Sequence, residues 1–167
     1  MRNRRVTLIL ASLTLLALIL SVPGSLREAF ERGGFYLFSW QFFEDIPKRL
    51  TGPGRFRFVL QPAIATLLGI RDGRLDARAG RPPYLYNLLF YQGQRRDLLW
   101  SGFNSVVNLV LMGILLDAIA QWLILGASYP GAALLIGPTL ITLPYVLARA
   151  LANRTVQLRR SLGGNNE

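Results

Sequence analysis

From Ala118 to Ala148 the chain runs for thirty-one residues without a charged side chain. A bilayer core about 30 Å thick takes only about twenty residues in one helical crossing, so a run of this length must fold back on itself. It carries the means to do so, because Ser128-Tyr129-Pro130-Gly131 is a turn tetrad near its middle. Upstream, Leu98 to Leu116 is also uncharged, and Asp117 is the single interruption between the two runs. In hydrocarbon every backbone N–H and C=O must be paired within the segment, which makes both arms helical. The expectation is an antiparallel helical hairpin over residues 98–125 and 131–153.

Two further apolar runs extend this reading to an all-α helical integral membrane protein with three or four transmembrane helices. Residues 6–22 form an apolar core inside a stretch of twenty-one uncharged residues between Arg5 and Arg27. Arg2, Arg4 and Arg5 can snorkel to headgroups and complete that span. The run ends at Ser21-Val22-Pro23-Gly24-Ser25 without an A-x-A site, so a retained anchor is expected over a cleaved signal peptide. Residues 56–70 are shorter, contain Pro62, and fit either a crossing or a re-entrant segment. If they cross, both termini and residues 71–97 share one side, which then carries twelve arginines. That satisfies the positive-inside rule with both ends cytoplasmic. The three-span alternative keeps residues 24–97 cytoplasmic and leaves the basic N-terminus on the opposite face. In either case the chain reads as one membrane domain over residues 1–167, multi-pass in the bacterial inner (cytoplasmic) membrane.

Between the spans lie amphipathic interfacial segments. Residues 30–43 hold seven aromatic side chains, and Phe35, Phe38 and Phe42 fall on one helical face with Tyr36 and Trp40 alongside. These five are read as interfacial anchors on a surface-lying helix. Thr51-Gly52-Pro53-Gly54 is a turn, and the Arg55-Phe56-Arg57-Phe58 alternation reads as arginines snorkelling beside buried phenylalanines. The helix of residues 56–70 is expected to continue past Arg71 and stop before Pro82-Pro83. Arg71, Arg74, Arg78, Arg81, Arg95 and Arg96 are candidate contacts for anionic lipid. An apolar, aromatic stretch from Tyr84 to Tyr91 follows.

The chain's charge is +10, carried on nineteen basic and nine acidic residues, with no Cys and no His. Disulfides, thiolate chemistry, iron–sulfur clusters and His-ligated haem are thereby excluded. No phosphate-binding glycine loop or nucleophile elbow is present. Asp72 and Asp76 have a D-x-x-x-D spacing that some lipid-phosphate transferases use to hold a metal. Here Arg71, Arg74 and Arg78 surround them as neutralising partners, and the fuller motif is lacking. The reading therefore assigns no catalytic, cofactor or metal residue, and no nucleic-acid partner.

The polar residues inside the hairpin are candidates for helix or subunit contacts. Gly113, Asp117 and Gln121 are spaced four apart on one narrow stripe. An intramembrane carboxylate needs a partner, and reflection through the turn sets Thr139 and Thr142 level with Asp117 as donors. An arginine of another subunit is a second possible partner, and a proton or ion relay is the functional alternative. Asn104 and Asn108 form a polar pair on the opposite face, with Arg149 at a similar depth. As a simple hydrogen-bond acceptor, Asp117 is expected to tolerate replacement by Asn.

Three stretches carry a likeness: Phe43 to Arg55, Gly69-Ile70-Arg71-Asp72-Gly73, and Asp76 to Leu85. Over roughly residues 40–150 they resemble a family of small bacterial polytopic inner-membrane proteins to which no activity is assigned. The resemblance implies a bacterial membrane location and supplies no catalytic residue. The expected function is a non-catalytic helical subunit packed within a larger bacterial membrane complex, of respiratory or photosynthetic type for example. Its partners would be anionic lipids and other membrane subunits. A small oligomeric transporter built on Asp117 and a lipid-phosphate enzyme at the membrane surface are the alternatives.

Overall fold

The structure is a computed structural model that describes residues 4–81, 86 and 95–163. In chain order it consists of α1 (Arg4–Arg32), a 3-10 turn (Tyr36–Phe38), α2 (Trp40–Thr51), α3 (Arg57–Arg78), α4 (Arg95–Leu125) and α5 (Pro130–Gly163). No strand occurs among the described residues, and the fold class is all-α. Three helices are long and apolar enough to cross a membrane: α1, α4 from Leu99, and α5 as far as Leu162. The expected hairpin is present as α4 and α5, each longer than its apolar run. Gly126, with φ of +71°, stops α4, and Pro130 opens α5 at a position where its missing N–H costs nothing. Helix α3 follows the expected course through Pro62 and past Arg71, but it is not among the three apolar candidates.

The aromatic stretch differs from expectation. A single interfacial helix over residues 30–43 is not formed, because α1 runs on through Pro23 to Arg32 and ends at Gly33, whose φ is +72°. The chain then turns through the short 3-10 segment and starts α2 at Trp40. Tyr84 to Tyr91, expected to be apolar and membrane-near, lies outside the described residues apart from Tyr86.

By its internal contacts the chain divides into two compact units, where the sequence suggests one domain. One comprises Met1–Gln61 with Asn108–Leu140, the other Pro62–Val107 with Ile141–Glu167. In the first unit, Tyr36, Phe42, Tyr129 and Ala132 make a buried cluster. The Tyr36 and Tyr129 rings stack 3.6 Å apart and nearly parallel. The two arms of the hairpin touch backbone to backbone at Gly113 and Gly137. A Cβ at Gly137 would lie 2.7 Å from the Ile114 nitrogen and 2.9 Å from the Gly113 carbonyl carbon. Helix α1 meets α4 through polar contacts: Thr7 donates to the Asn108 side-chain oxygen at 2.8 Å, and the Thr14 hydroxyl is 3.1 Å from the Leu111 carbonyl.

The second unit is organised by small residues. Ala65, Gly69, Gly73 and Ala77 recur every fourth position of α3, and all four are buried. A side chain at Gly69 would collide with the Tyr145 carbonyl, and one at Gly73 with the Arg149 carbonyl. Gly69 meets the backbone at Tyr145–Arg149, and Gly73 meets the backbone four residues later, so α3 and α5 run parallel here. Small-x-x-x-small spacing is what lets membrane helices approach at backbone distance.

Candidate functional site

Each unit contains one buried charge network, and each network is built around an arginine. In the first unit, α2 buries Phe42, Asp45 and Arg49 on one face. Arg49 is 1% exposed, and its guanidinium carbon sits 5.9 Å from the ring centres of both Tyr36 and Phe42. It donates to the Tyr36 hydroxyl at 3.2 Å, and that hydroxyl donates to Asp45 at 2.9 Å. On its other side Arg49 meets the Asp117 carboxylate at 3.4 Å. Arg57, at the start of α3, reaches the same carboxylate at 2.6 Å and donates to the Leu116 carbonyl at 2.9 Å. The approach of the Arg57 Nη2 to Asp117 lies off its N–H direction, so that contact is coulombic rather than a directed hydrogen bond. Gln121, one turn after Asp117, donates to it and accepts from the Tyr129 backbone N–H at 2.8 Å.

The second unit repeats this connectivity. Arg149 of α5 pairs with Asp76 at 2.7 Å and donates to the Tyr145 hydroxyl at 2.9 Å. The Tyr145 hydroxyl donates to Asp72 at 2.8 Å. A second arginine, Arg81, stands 3.4 Å from Asp76. In both units, then, one arginine holds an aspartate and a tyrosine hydroxyl, the hydroxyl holds a second aspartate, and another arginine backs the first aspartate. A buried charge is tolerated when it is paired, and each buried arginine here has an acid partner, although Arg49 Nε and Arg57 Nε have no hydrogen-bond partner among the described residues.

Near the first network, outside the apolar spans, two tyrosine hydroxyls are held neutral. Burial pushes Tyr36 up to about 12, with the Asp45 carboxylate adding to the effect and Arg49 opposing it. Burial also raises Tyr129, helped by Glu28. At the rim, the hydrogen bond to Asp45 raises Lys48.

The candidate contact residues are placed as follows. Gly113, Asp117 and Gln121 are buried on one stripe of α4. Asp117 is not held by the two threonines. Thr139 is exposed and donates to the Leu135 carbonyl of its own helix, and Thr142 is exposed as well. The Asp117 partners are arginines from α2 and α3 of the same chain, which removes the need for an arginine from another subunit. Asn108 is half-buried against Thr7, whereas Asn104 is exposed. Of the five aromatic anchors, Phe35, Phe38 and Trp40 are exposed, but Tyr36 and Phe42 are core residues. The Arg-Phe alternation departs from expectation at its middle pair: Phe56 is 73% exposed and Arg57 only 5%, while Arg55 is exposed and Phe58 half-buried as expected. The charge on Asp117 pulls Arg57 inward. Asp76 and Asp72 are engaged by Arg149, Arg81 and Tyr145 rather than by Arg71, Arg74 and Arg78. Arg71, Arg74, Arg78 and Arg96 are exposed, and the Arg95 side chain lies outside the described residues.

Among the described residues no group of three or more acids is placed to hold a metal ion. Comparison with family models, curated proteins and solved structures gave no match.

Proposed function

We propose that the chain is a non-catalytic helical subunit that packs within a larger assembly of the bacterial inner membrane. The observation that carries this reading is the state of the buried acids. Asp45, Asp76 and Asp117 are each locked to a basic or hydroxyl side chain of the same chain. A relay needs titratable groups in sequence with an open path between them, and Asp117 is instead enclosed by ion pairs to Arg57 and Arg49 of the same chain. The networks therefore serve as internal fasteners. The surface supports the same reading, since only 6% of the most apolar window of α1 is buried. Thr14 is its one buried residue, which leaves nearly the whole helix for lipid and for neighbouring subunits.

In this reading α3 crosses with α5. Their parallel course carries Arg71, Arg74, Arg78 and Arg81 to the end of the unit that holds Arg154, Arg159 and Arg160, which becomes the cytoplasmic side. Anionic lipids are the partners at that end. Purification of the chain from native membranes in mild detergent tests the assignment. A subunit co-migrates with a fixed set of membrane proteins at constant ratio. Migration as a homo-oligomer, with proton or ion flux in reconstituted vesicles that Asp117→Asn abolishes, would replace it with the transporter reading.

A further inference from the structure

A groove of about 350 Å³ runs along the second unit between α3 and α5. Its walls from α3 are Thr66, Ile70 and Arg74, and from α5 they include Ala152, Thr155 and Arg159. The spacing of these residues sets its shape. Thr66, Ile70 and Arg74 are four apart and so form one line about 12 Å long on α3. On α5 the wall runs from Ala148 to Arg159, about 16 Å of helix. Because the two helices run parallel, both arginines fall at the same end, and Thr66 and Ala148 line the opposite end. The groove is thus about as long as one leaflet of the hydrocarbon core is deep.

Among the described residues its two cations are not drawn into the ion pairs beside them. Arg81 and Arg149 are committed to Asp76, and Arg160 donates to the Ala77 carbonyl. Arg74 and Arg159 are exposed, and neither has an ion-pair partner among the described residues. The floor of the groove exists because Gly73 lies against the Arg149 backbone and the Ala152 methyl group. An apolar slot one leaflet long, with two unpartnered guanidiniums at its mouth, matches one kind of molecule. It has a hydrocarbon tail and an anionic phosphate at one end.

We propose that this groove binds a single anionic phospholipid of the surrounding bilayer. The phosphate is held between Arg74 and Arg159, and one acyl chain lies along Thr66, Ile70 and Thr155. Arginine suits the role because its planar fork can take two phosphate oxygens at once. The proposal rests on the reading of the chain as membrane-embedded, and it replaces a diffuse basic surface with a defined site.

The test uses the full-length chain in detergent micelles, supplied with equal amounts of dioleoyl-phosphatidylglycerol and dioleoyl-phosphatidylcholine. Native mass spectrometry counts the lipid that stays bound. The wild-type chain is expected to retain one phosphatidylglycerol, preferred over phosphatidylcholine by at least about tenfold, as two surface cations allow. Arg74→Gln with Arg159→Gln brings the preference to parity. Arg27→Gln with Arg55→Gln, two exposed arginines that do not line the groove, changes the charge equally and leaves the preference unchanged. Thr155→Trp fills the slot and lowers retention with both arginines still present. A large excess of inorganic phosphate leaves the lipid in place. Retention by the Arg74/Arg159 variant or by Thr155→Trp at the wild-type level overturns the site. So does an equal loss in the Arg27/Arg55 variant, or displacement by phosphate. Insertion into phosphatidylcholine vesicles is measured alongside. A chain that inserts without lipid preference refutes the groove alone, and a chain that fails to insert refutes the membrane reading beneath it.

Discussion

Replacing Asp117 with Asn tests the first charge network most directly. The carboxylate is 1% exposed, lies 2.6 Å from Arg57 and 3.4 Å from Arg49, and accepts from Gln121. Asn keeps the shape and an acceptor oxygen, so a simple helix-to-helix hydrogen bond would lose only about 0.6 to 2 kcal/mol. In this structure the change does more, because it removes the only acid in contact with Arg57 among the described residues and leaves two buried guanidiniums without it. Removing one partner of a buried ion pair costs about 3 to 5 kcal/mol, since the remaining charge stays desolvated. That corresponds to about a hundredfold to a few thousandfold in the folding equilibrium. The expected effect of Asp117→Asn is therefore large, against its near-silence on sequence grounds. Denaturant unfolding in micelles, followed by helix signal, measures it. Pairing it with Arg57→Met should recover part of the loss, because the second guanidinium no longer needs neutralising. If the Asn variant unfolds within about 1 kcal/mol of wild type, the network does not hold the fold and the reasoning fails.

Other expectations follow from the same contacts. Gly73→Ala sets a methyl group against the Arg149 carbonyl and should lower unfolding stability by about 1 to 3 kcal/mol; an unchanged midpoint would mean that α3 and α5 do not meet at backbone distance. The Tyr36 hydroxyl, raised to about 12 in the folded chain from about 10 unfolded, stabilises the fold below pH 10, and this contribution is lost as pH rises towards 12. An alkaline ultraviolet titration of wild type against Tyr36→Phe should accordingly show no ionisation of this residue near pH 10; a Tyr36 signal there would refute its burial beside Asp45. The chain has no native cysteine, so Ser39→Cys and Ala79→Cys report topology cleanly. They should label from opposite sides, and same-side labelling would rule out a crossing by α3.

Much of the fold was legible because hydrocarbon leaves the backbone few choices. A charge-free run with a turn tetrad at its centre has to be a helical hairpin, and α4 and α5 are that hairpin. The Gly113-Asp117-Gln121 stripe was legible for the same reason, since spacing of four defines a face whatever it meets. What spacing could not show was the partner. Thr139 and Thr142 were chosen by reflection through the turn, but the acid is met by arginines that come from α2 and α3. In sequence, an arginine beside phenylalanines looks the same whether it snorkels outward to a headgroup or turns inward to an acid. Only the rotation of α3 about its axis, with Phe56 out and Arg57 in, tells them apart. The α3–α5 contact has a sign in the sequence, Ala65, Gly69, Gly73 and Ala77 at four-residue intervals. Within the 30–43 stretch, Gly33-Gly34 outweighed the aromatic periodicity because a residue at positive φ ends a helix however regular its faces are.

The recurrence of one connectivity in both units gives a physical reason for the chain's bias toward arginine. In each network a single side chain must neutralise an aspartate and at the same time donate to a tyrosine hydroxyl on a different bearing. A guanidinium does this with five donors fixed in a plane, and it keeps its charge when buried. A lysine would offer one compact ammonium, shed its proton more readily in an apolar site, and leave either the acid or the hydroxyl unmet. The chain's lysine, Lys48, is placed consistently with this, exposed at the rim where it bonds to Asp45. The networks share only α3, whose start serves the first and whose end serves the second, and otherwise draw on different helices, so duplication of a structural unit is not needed to explain them. Two separate segments meeting the same demand, a buried acid beside a tyrosine among apolar helices, arrive at the same answer because few side chains can satisfy it.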